Sequence, residues 1–371
     1  MKKVSVVIVG GGLAGLVSAI DLRLKNHQVV LLEKNDFPKH KVCGEYISNE
    51  ILSYLQSLQI DINSLKPSNI TKLHFSLKSG KSLYTNLPLG GFGVSRKLLD
   101  NYLFQYAKQL GCMVYKDTVT DVQFENDQFL VHTNDETFSA DIVLGAFGKR
   151  SNLDNKLTRV FSRKNENIWL GVKAHYQVNF PDNLVGLHHF EGGYCGVSRI
   201  ENGLVNICYL ATDTSFKQFP SLNDYQKIWV EKNPILKTIF QQAICQFEKP
   251  ITISQVSFVK KKCVENHMLM IGDAAGLIHP LCGNGMAMAM HSAKIASEQV
   301  HNFLNGNCTR ETMEQRYKSE WNKNFKSRLL MGRILGYVLQ KTKVANFLLQ
   351  IFGFFPFLLP LIIKQTHGKT V

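Results

Sequence analysis

Residues 4–34, VSVVIVGGGLAGLVSAIDLRLKNHQVVLLEK, constrain the fold more than any other stretch of the chain. Val4 to Val9 is a short β-branched run, the composition of a parallel strand covered on both faces. Gly10, Gly12 and Gly15 follow with the spacing G-x-G-x-x-G. Gly10 permits the turn, Gly12 lets a pyrophosphate approach the backbone, and Gly15 lets the next helix pack on the strand. The helix N-terminus then offers free N–H groups and a positive dipole end to the phosphates. Val29 to Leu32 forms a second strand, and Glu33 ends it 18 residues after Gly15. An acid at that place accepts hydrogen bonds from a ribose. A strand, a glycine turn, a helix, a second strand and an acid in this order predict a dinucleotide grip. The two lysines at the N-terminus imitate a secretion signal, but the apolar part is only Val4 to Val9, shorter than such signals require.

NAD and FAD both fit that grip, and later segments separate them. In MLMIGDAAGLIHPLCGNGMAMAMHSA, Met268 to Ile271 reads as a strand with Gly272 and Asp273 at its end. Pro280, Gly283 and Gly285 shape the next turn, and a helix begins near Met286 with its N-terminus open to an electron-rich ring edge. GVSRKLLDNYLFQYAKQLG reads as an amphipathic helix preceded by Arg96. With KVCGEYIS at 41–48 and VLGAFGKRS at 143–151, this ordered set resembles the FAD-dependent monooxygenase and reductase superfamily with the para-hydroxybenzoate hydroxylase-like fold. Within it the chain is most similar to the geranylgeranyl-reductase-like branch.

The resemblance implies an α/β fold: a Rossmann-type FAD-binding domain, an antiparallel-sheet substrate domain and a C-terminal helical segment. The expected discontinuous FAD-binding domain takes residues 1–75, 96–160 and 260–305. The substrate domain takes 76–95 and 161–259, and the C-terminal segment 306–371. The implied cofactor contacts are Gly10, Gly12, Gly15, Glu33 and the adjacent Lys34 on the ADP half, with Val119 meeting the adenine through its backbone. Arg96 and Cys43 would lie against the cofactor. Gly272 and Asp273 would meet its ribityl chain or pyrophosphate, and Pro280, Gly283, Gly285 and Met286 would cradle the flavin ring.

The chain departs from the family in informative ways. The middle motif Gly-Ala-Asp-Gly reads GAFG here, with Phe147 in place of the aspartate. That position helps organise a nicotinamide nucleotide, and no second glycine motif lies between a strand and a helix. NAD(P)H, if it is the electron donor, docks transiently. The halogenases of this group carry Trp-x-Trp, whereas Trp169, Trp229 and Trp321 lie far apart. The reductases carry Tyr-x-Trp-x-Phe-Pro, of which only Tyr194 in GGYCGVSR is matched.

Residues 168–210 read as antiparallel strands of the substrate domain, and 221–247 as helix broken near Pro234. His188, His189, Tyr194 and Tyr209 are candidates to line its pocket, with Cys43, Tyr194 and His189 the candidates for chemistry. Packing is the competing reading for each, as it is for His175 and His279. No residue announces itself as a general base. The eight cysteines are scattered without zinc spacing, so no metal site is expected, and they read as reduced thiols of a cytoplasmic protein.

The charge is uneven. The chain has a formal net charge of +14, and residues 316–371 hold ten Lys/Arg against the single acid Glu320. Such asymmetry points to an anionic surface. Trp321, Phe325 and Leu329 recur every fourth residue among Lys323, Lys326, Arg328 and Arg333, as in a basic amphipathic helix. Then comes FLLQIFGFFPFLLPLII at 347–363, uncharged and interrupted by Pro356 and Pro360. A clean membrane span needs about 20 apolar residues without interior prolines. Two readings stay open: short helices closing over the core, or a tail dipping into one leaflet of an anionic membrane from its cytoplasmic face. Nucleic acid fits neither the grease nor any motif.

A lipid-contacting tail implies a hydrophobic small-molecule substrate. The expected activity is hydroxylation of an aromatic or lipid-like substrate through a flavin C4a-hydroperoxide. The alternatives are reduction of isoprenoid double bonds, or a flavin-binding electron carrier with no hydroxylation of its own. The oligomeric state is not legible.

Overall fold

The computed structural model describes every residue except Met1, Thr158, 160–167 and Pro356. Two sheets organise the chain. The first has a parallel centre ordered Met268–Met270, Thr137–Gly145, Lys2–Val9, Val29–Glu33, Met113–Lys116. The hairpin Val119–Glu125 and Gln128–Thr133 adds antiparallel strands to Thr137–Gly145. Val6, Val7 and Ile8 are fully buried, as a strand covered on both faces must be. Each such side chain contributes roughly 1.5–3 kcal/mol.

The Leu13–Leu24 helix covers one face of this sheet and packs against the long Gly285–Leu304 helix. It is buried almost all round, including Asp21, whose carboxylate accepts from the Tyr54 hydroxyl at 2.6 Å and pairs with Lys25 at 2.7 Å. Lys2–Val9 sits between Val29–Glu33 on one side and Thr137–Gly145 on the other, so the strand order reverses beside Gly10. Open parallel sheets bind ligands in the crevice outside such a switch point.

The second sheet runs Ile244–Cys245, Trp169–Gln177, Val205–Thr212, Gly193–Arg199, Leu184–Phe190, Ser68–Ser76, Ser82–Gly93, Tyr46–Ser48. The antiparallel strands expected at 168–210 are present, but Leu184–Phe190 and Ser68–Ser76 pair in parallel. Tyr46–Ser48 and Ser68–Ser76 belong to this sheet, although the expected boundary at 75 puts them with the nucleotide domain. The expected boundary between 160 and 161 lies outside the described residues. Alternation sorts the strand Trp169–Gln177: Val172, Ala174 and Tyr176 face a core with Tyr225 and Leu236, while Lys173 and His175 face the other way. The helical stretch after Ser221 breaks where expected. Asn233 caps a new helix, Pro234–Gln242, with Pro234 in its first turn.

At the C-terminus, Arg310–Gln340 is one long helix, followed by Thr342–Phe354 and Leu358–Thr366. Pro360 sits in the first turn of the last helix, where its missing N–H has no helical partner to lose. Pro356 lies outside the described residues. The chain end is tied back to the nucleotide domain. Buried Glu50 pairs with Arg328 at 3.0 Å and accepts from the Asn284 amide at 3.2 Å and from Gly368 N–H. Its carbonyl accepts from Val371 N–H at 2.9 Å.

Candidate functional site

Outside the switch point opens a cavity of about 1610 Å³ that runs between the two sheets and under the C-terminal helices. Gly10, Gly12, Glu33, Lys34, Cys43, Arg96, Val119, Gly272, Asp273, Pro280, Gly283, Gly285 and Met286 all line it, as does Tyr194. Gly15 stands behind the wall: a Cβ there would come within 2.0 Å of the Gly10 carbonyl oxygen. His189 does not line the cavity. Its ring tilts against Phe75 at 5.4 Å, and burial lowers its pKa to about 4. His188 turns to Ser76, 2.8 Å away, and Tyr209 packs with Phe190 and Tyr225. Cys208 and Leu210 reach the cavity from the same strand as Tyr209, because successive strand side chains point to opposite faces.

One end of the cavity is built for a dinucleotide. A Cβ on Gly12 would meet nothing within 4 Å, so the backbone there is open to an incoming group. Gly10 has φ +113°, and a Cβ on it would stand 2.4 Å from the Ala146 carbonyl oxygen. Neither the Leu13–Leu24 helix nor the Gly285–Leu304 helix has a side-chain cap, so two helix N-termini present bare N–H groups. Asn284, placed to cap the second, gives its amide to Glu50 and the Thr366 carbonyl instead. Glu33 accepts from Gly11 N–H at 2.7 Å and Asn35 N–H at 2.9 Å, which fixes its carboxylate at the cavity rim.

Cations surround this end. Lys34, Lys149 and Arg150 line it. Burial holds the Lys149 amine below its ordinary pKa, opposed chiefly by Asp273. Burial likewise raises the Asp273 carboxyl, with Lys149 and Lys261 pulling the other way. Lys261 donates to the carbonyls of Lys149 and Asp273 at 2.6 and 3.1 Å, joining the two segments; burial lowers its pKa to about 8. Arg96 makes a two-pronged pair with Asp100 at 2.8 and 2.9 Å, and Lys41 adds a third contact to that carboxylate at 2.8 Å. Burial opposes the charge on Arg96, but Asp100 outweighs it and raises the pKa.

The loop KVCGE at 41–45 crosses the middle of the cavity, and the second sheet staples it in place. Asn206 donates to the carbonyls of Cys43 and Gly44 at 3.1 and 2.9 Å, and Ser198 to Gly44 at 3.1 Å. Glu45, buried and left-handed at φ +54°, accepts from Lys173, from His175 at 2.8 Å and from Arg96 N–H at 2.6 Å. Burial alone would raise the Glu45 pKa, but His175 and Lys173 hold it below its ordinary value. A strained backbone of this kind persists only where its surroundings over-determine it. Cys43 Sγ rests 3.4 Å from Met286 Sδ at the start of the Gly285–Leu304 helix. Lys173, Glu45 and Lys149 were not singled out by sequence. The signal was the pair Lys173 and His175, two residues apart on one face of an otherwise apolar strand.

The other end is apolar. Leu187, Leu210 and Leu277 face Leu339, Leu348 and Phe352 of the tail, with Tyr194 among them. The Tyr194 hydroxyl is buried without a hydrogen-bond partner among the described residues, and burial raises its pKa well above 10, so it is a neutral phenol. Polar grip and apolar chamber thus form one space, with Cys43, Met286 and Gly283 at the junction.

Known proteins share this fold. The chain is 24% identical to the digeranylgeranylglycerophospholipid reductase of Methanococcus vannielii, over 91% of this chain and 86% of that one. In structure it is similar to a geranylgeranyl bacteriochlorophyll reductase-like protein from Thermoplasma acidophilum, with TM-score 0.76 and 20% identity over 92% of this chain and 88% of that one. It is also similar to a probable FAD-dependent monooxygenase from Pseudomonas aeruginosa, with TM-score 0.74 and 16% identity over 92% and 98%. The FAD binding domain family matches residues 3–326, and the chain therefore belongs to that family of flavoprotein oxidoreductases.

Proposed function

We propose that the chain is an FAD-dependent monooxygenase that hydroxylates a hydrophobic, lipid-like or aromatic substrate. The observation that carries this is the single cavity with a dinucleotide grip at one end and an apolar chamber at the other. Bound FAD would supply the redox chemistry. Gly10, Gly12 and Glu33 would hold its ADP half. Asp273 with Lys149 would meet the central phosphates and ribityl chain, and the N–H groups after Gly283 would face the ring. The Glu45 cluster would keep the 41–45 loop, and so Cys43, against the ring's edge. The leucines and Phe352 would exclude water, which protects reactive oxygen chemistry from unproductive breakdown. The neutral Tyr194 phenol would orient one polar group of the substrate. NAD(P)H is the proposed transient electron donor.

A second reading, reduction of isoprenoid double bonds, draws on the named reductase relatives and on the length of the apolar chamber. Oxygen consumption separates the two. Purified holoprotein, NAD(P)H and a prenylated phenol are followed with an oxygen electrode and product analysis. Oxygen uptake matching hydroxylated product is the expected result. A saturated product formed without oxygen would replace hydroxylation with reduction. A flavin that no donor reduces would leave a binding protein and overturn both.

A further inference from the structure

The solvent face of the Arg310–Gln340 helix changes character along its length. Its buried residues Trp321, Phe325, Arg328, Gly332 and Gly336 recur at spacings of three and four and define the inner face. The opposite face, by the same spacing, reads Lys323, Lys326, Leu330, Ile334, Tyr337, Lys341. Its first members are exposed cations. Then Leu330, Ile334 and Tyr337 lie open, with Tyr337 62% exposed. The last two helices continue the apolar surface: Phe347 is 61% exposed, Phe354 81% and Phe357 62%. Isolated exposed apolar residues are ordinary, but a continuous run of this kind marks a contact surface.

The same segments have a second apolar face. Leu339, Leu348, Phe352 and Ile362 line the cavity from inside. The tail therefore separates one apolar space from another by the thickness of a helix. Among the described residues no single helix is long and apolar enough to cross a membrane, and the last two helices meet at 119°. Cations ring the surface: Lys323, Lys326, Arg333, Lys341, Lys343 and Lys364 are exposed, and Glu320 is the only acid from 316 onward. Lys326 lies about 16 Å along the helix axis from Tyr337, at 1.5 Å per residue, so that lysine and Lys323 lie well removed from the aromatic end. Lys318, Lys326 and Arg333 also border a cleft of about 750 Å³ with Lys260 and Lys262, where cations outnumber the two acids Glu311 and Glu314 beside Trp321.

We infer that this surface docks on an anionic lipid bilayer, with Phe347, Phe354 and Phe357 immersed in one leaflet and the lysines on the headgroups. Charge complementarity selects this occupant: a second copy of the chain would bring a like-charged surface against it, and nucleic acid would leave the exposed aliphatic residues Leu330, Ile334 and Leu361 without an apolar partner. The surface stands independently of hydroxylation, and its test involves no turnover.

Full-length holoprotein is floated with vesicles of phosphatidylcholine alone or mixed with phosphatidylglycerol. Binding to the mixed vesicles at least about tenfold tighter than to the neutral ones is expected, weakening with salt. Phe354→Glu with Phe357→Glu, and separately Lys323→Glu with Lys326→Glu, should each lower binding about tenfold while the flavin absorbance stays unchanged. In Phe354→Trp, brominated lipid should quench the new fluorescence. Failure to bind either vesicle, or binding that both double variants leave intact, overturns the assignment. So does a dimer seen by light scattering that Phe354→Glu with Phe357→Glu dissolves, which would give the surface to a second copy.

Discussion

Two uncharged stretches, Val4 to Val9 and Phe347 to Ile363, meet opposite fates. The first lies at the centre of the parallel sheet, with Val6, Val7 and Ile8 wholly buried. The second forms two short helices whose inner faces, Phe352 among them, line the cavity, while Phe347, Phe354 and Phe357 stand in solvent. Absence of charge does not distinguish them. What does is the neighbourhood: the strand has hydrogen-bonded partners on both sides, whereas the tail packs on one side and is held by the Glu50 cluster. The first stretch is thus held from every side and the second mainly from one.

The contrast predicts a gradient of tolerance. The largest effect belongs to Gly15→Val. Its Cβ would come within 2.0 Å of the Gly10 carbonyl, which is backbone and cannot move without opening the turn. A loss of more than about 4 kcal/mol is expected, the range reserved for a forced backbone. Melting temperature and flavin absorbance of the purified variant check it. A yellow, normally stable variant would show that the glycine turn is not the rigid element.

Next comes Glu45→Gln, which leaves the Lys173 ammonium buried without its counter-charge. Breaking a buried pair on one side costs roughly 3–5 kcal/mol, so this variant should fall by that amount, and Glu45→Gln with Lys173→Met should recover much of it. The sign of the pH effect follows from the lowered Glu45 pKa. Its stabilisation is present above the unfolded carboxyl pKa, near the ordinary 4.5, and is lost as pH falls through the lower folded value. The variant should therefore lose stability at neutral pH and lose less of what remains on acidification. Urea melts at neutral and acid pH measure both.

Arg328→Gln should cost less, about 1–3 kcal/mol, because Glu50 keeps its bonds from Asn284 and Gly368. The damage should be local. Limited proteolysis should cut after residue 340 faster than in the parent chain, while the nucleotide domain melts nearly as before.

How far these differences were legible depends on the distance over which each signal acts. The strand, glycine turn and helix were legible, since Gly10, Gly12 and Gly15 act through backbone geometry within one local unit. The strands at 168–210 were legible for the same reason, though their parallel pairing with Ser68–Ser76 was not, because pairing across so many residues leaves no local trace. The Glu45 cluster was missed because Lys173 and His175 read as polar interruptions until the 41–45 loop is brought beneath them. His189 was singled out as a chemical group, yet on the folded strand it packs beside Phe75. Of the two readings of the tail, neither excludes the other: one face of each helix is used inside, and a sequence period alone cannot say what covers the second.

That second face supplies the smallest expected effect. Phe354 is 81% exposed, so in water it contributes little packing to the fold. Phe354→Ser should change stability by less than about 0.5 kcal/mol, as surface substitutions away from special features do. The same change in the rigid strand, Ile8→Ser, removes a fully buried side chain and puts an unpaired hydroxyl in its place. Thermal melts of the two variants without lipid give the comparison its sharpest form. A large loss at Phe354 would mean that the outer face packs on protein in solution, and the tail would then be an ordinary part of the core rather than a surface kept free for something else.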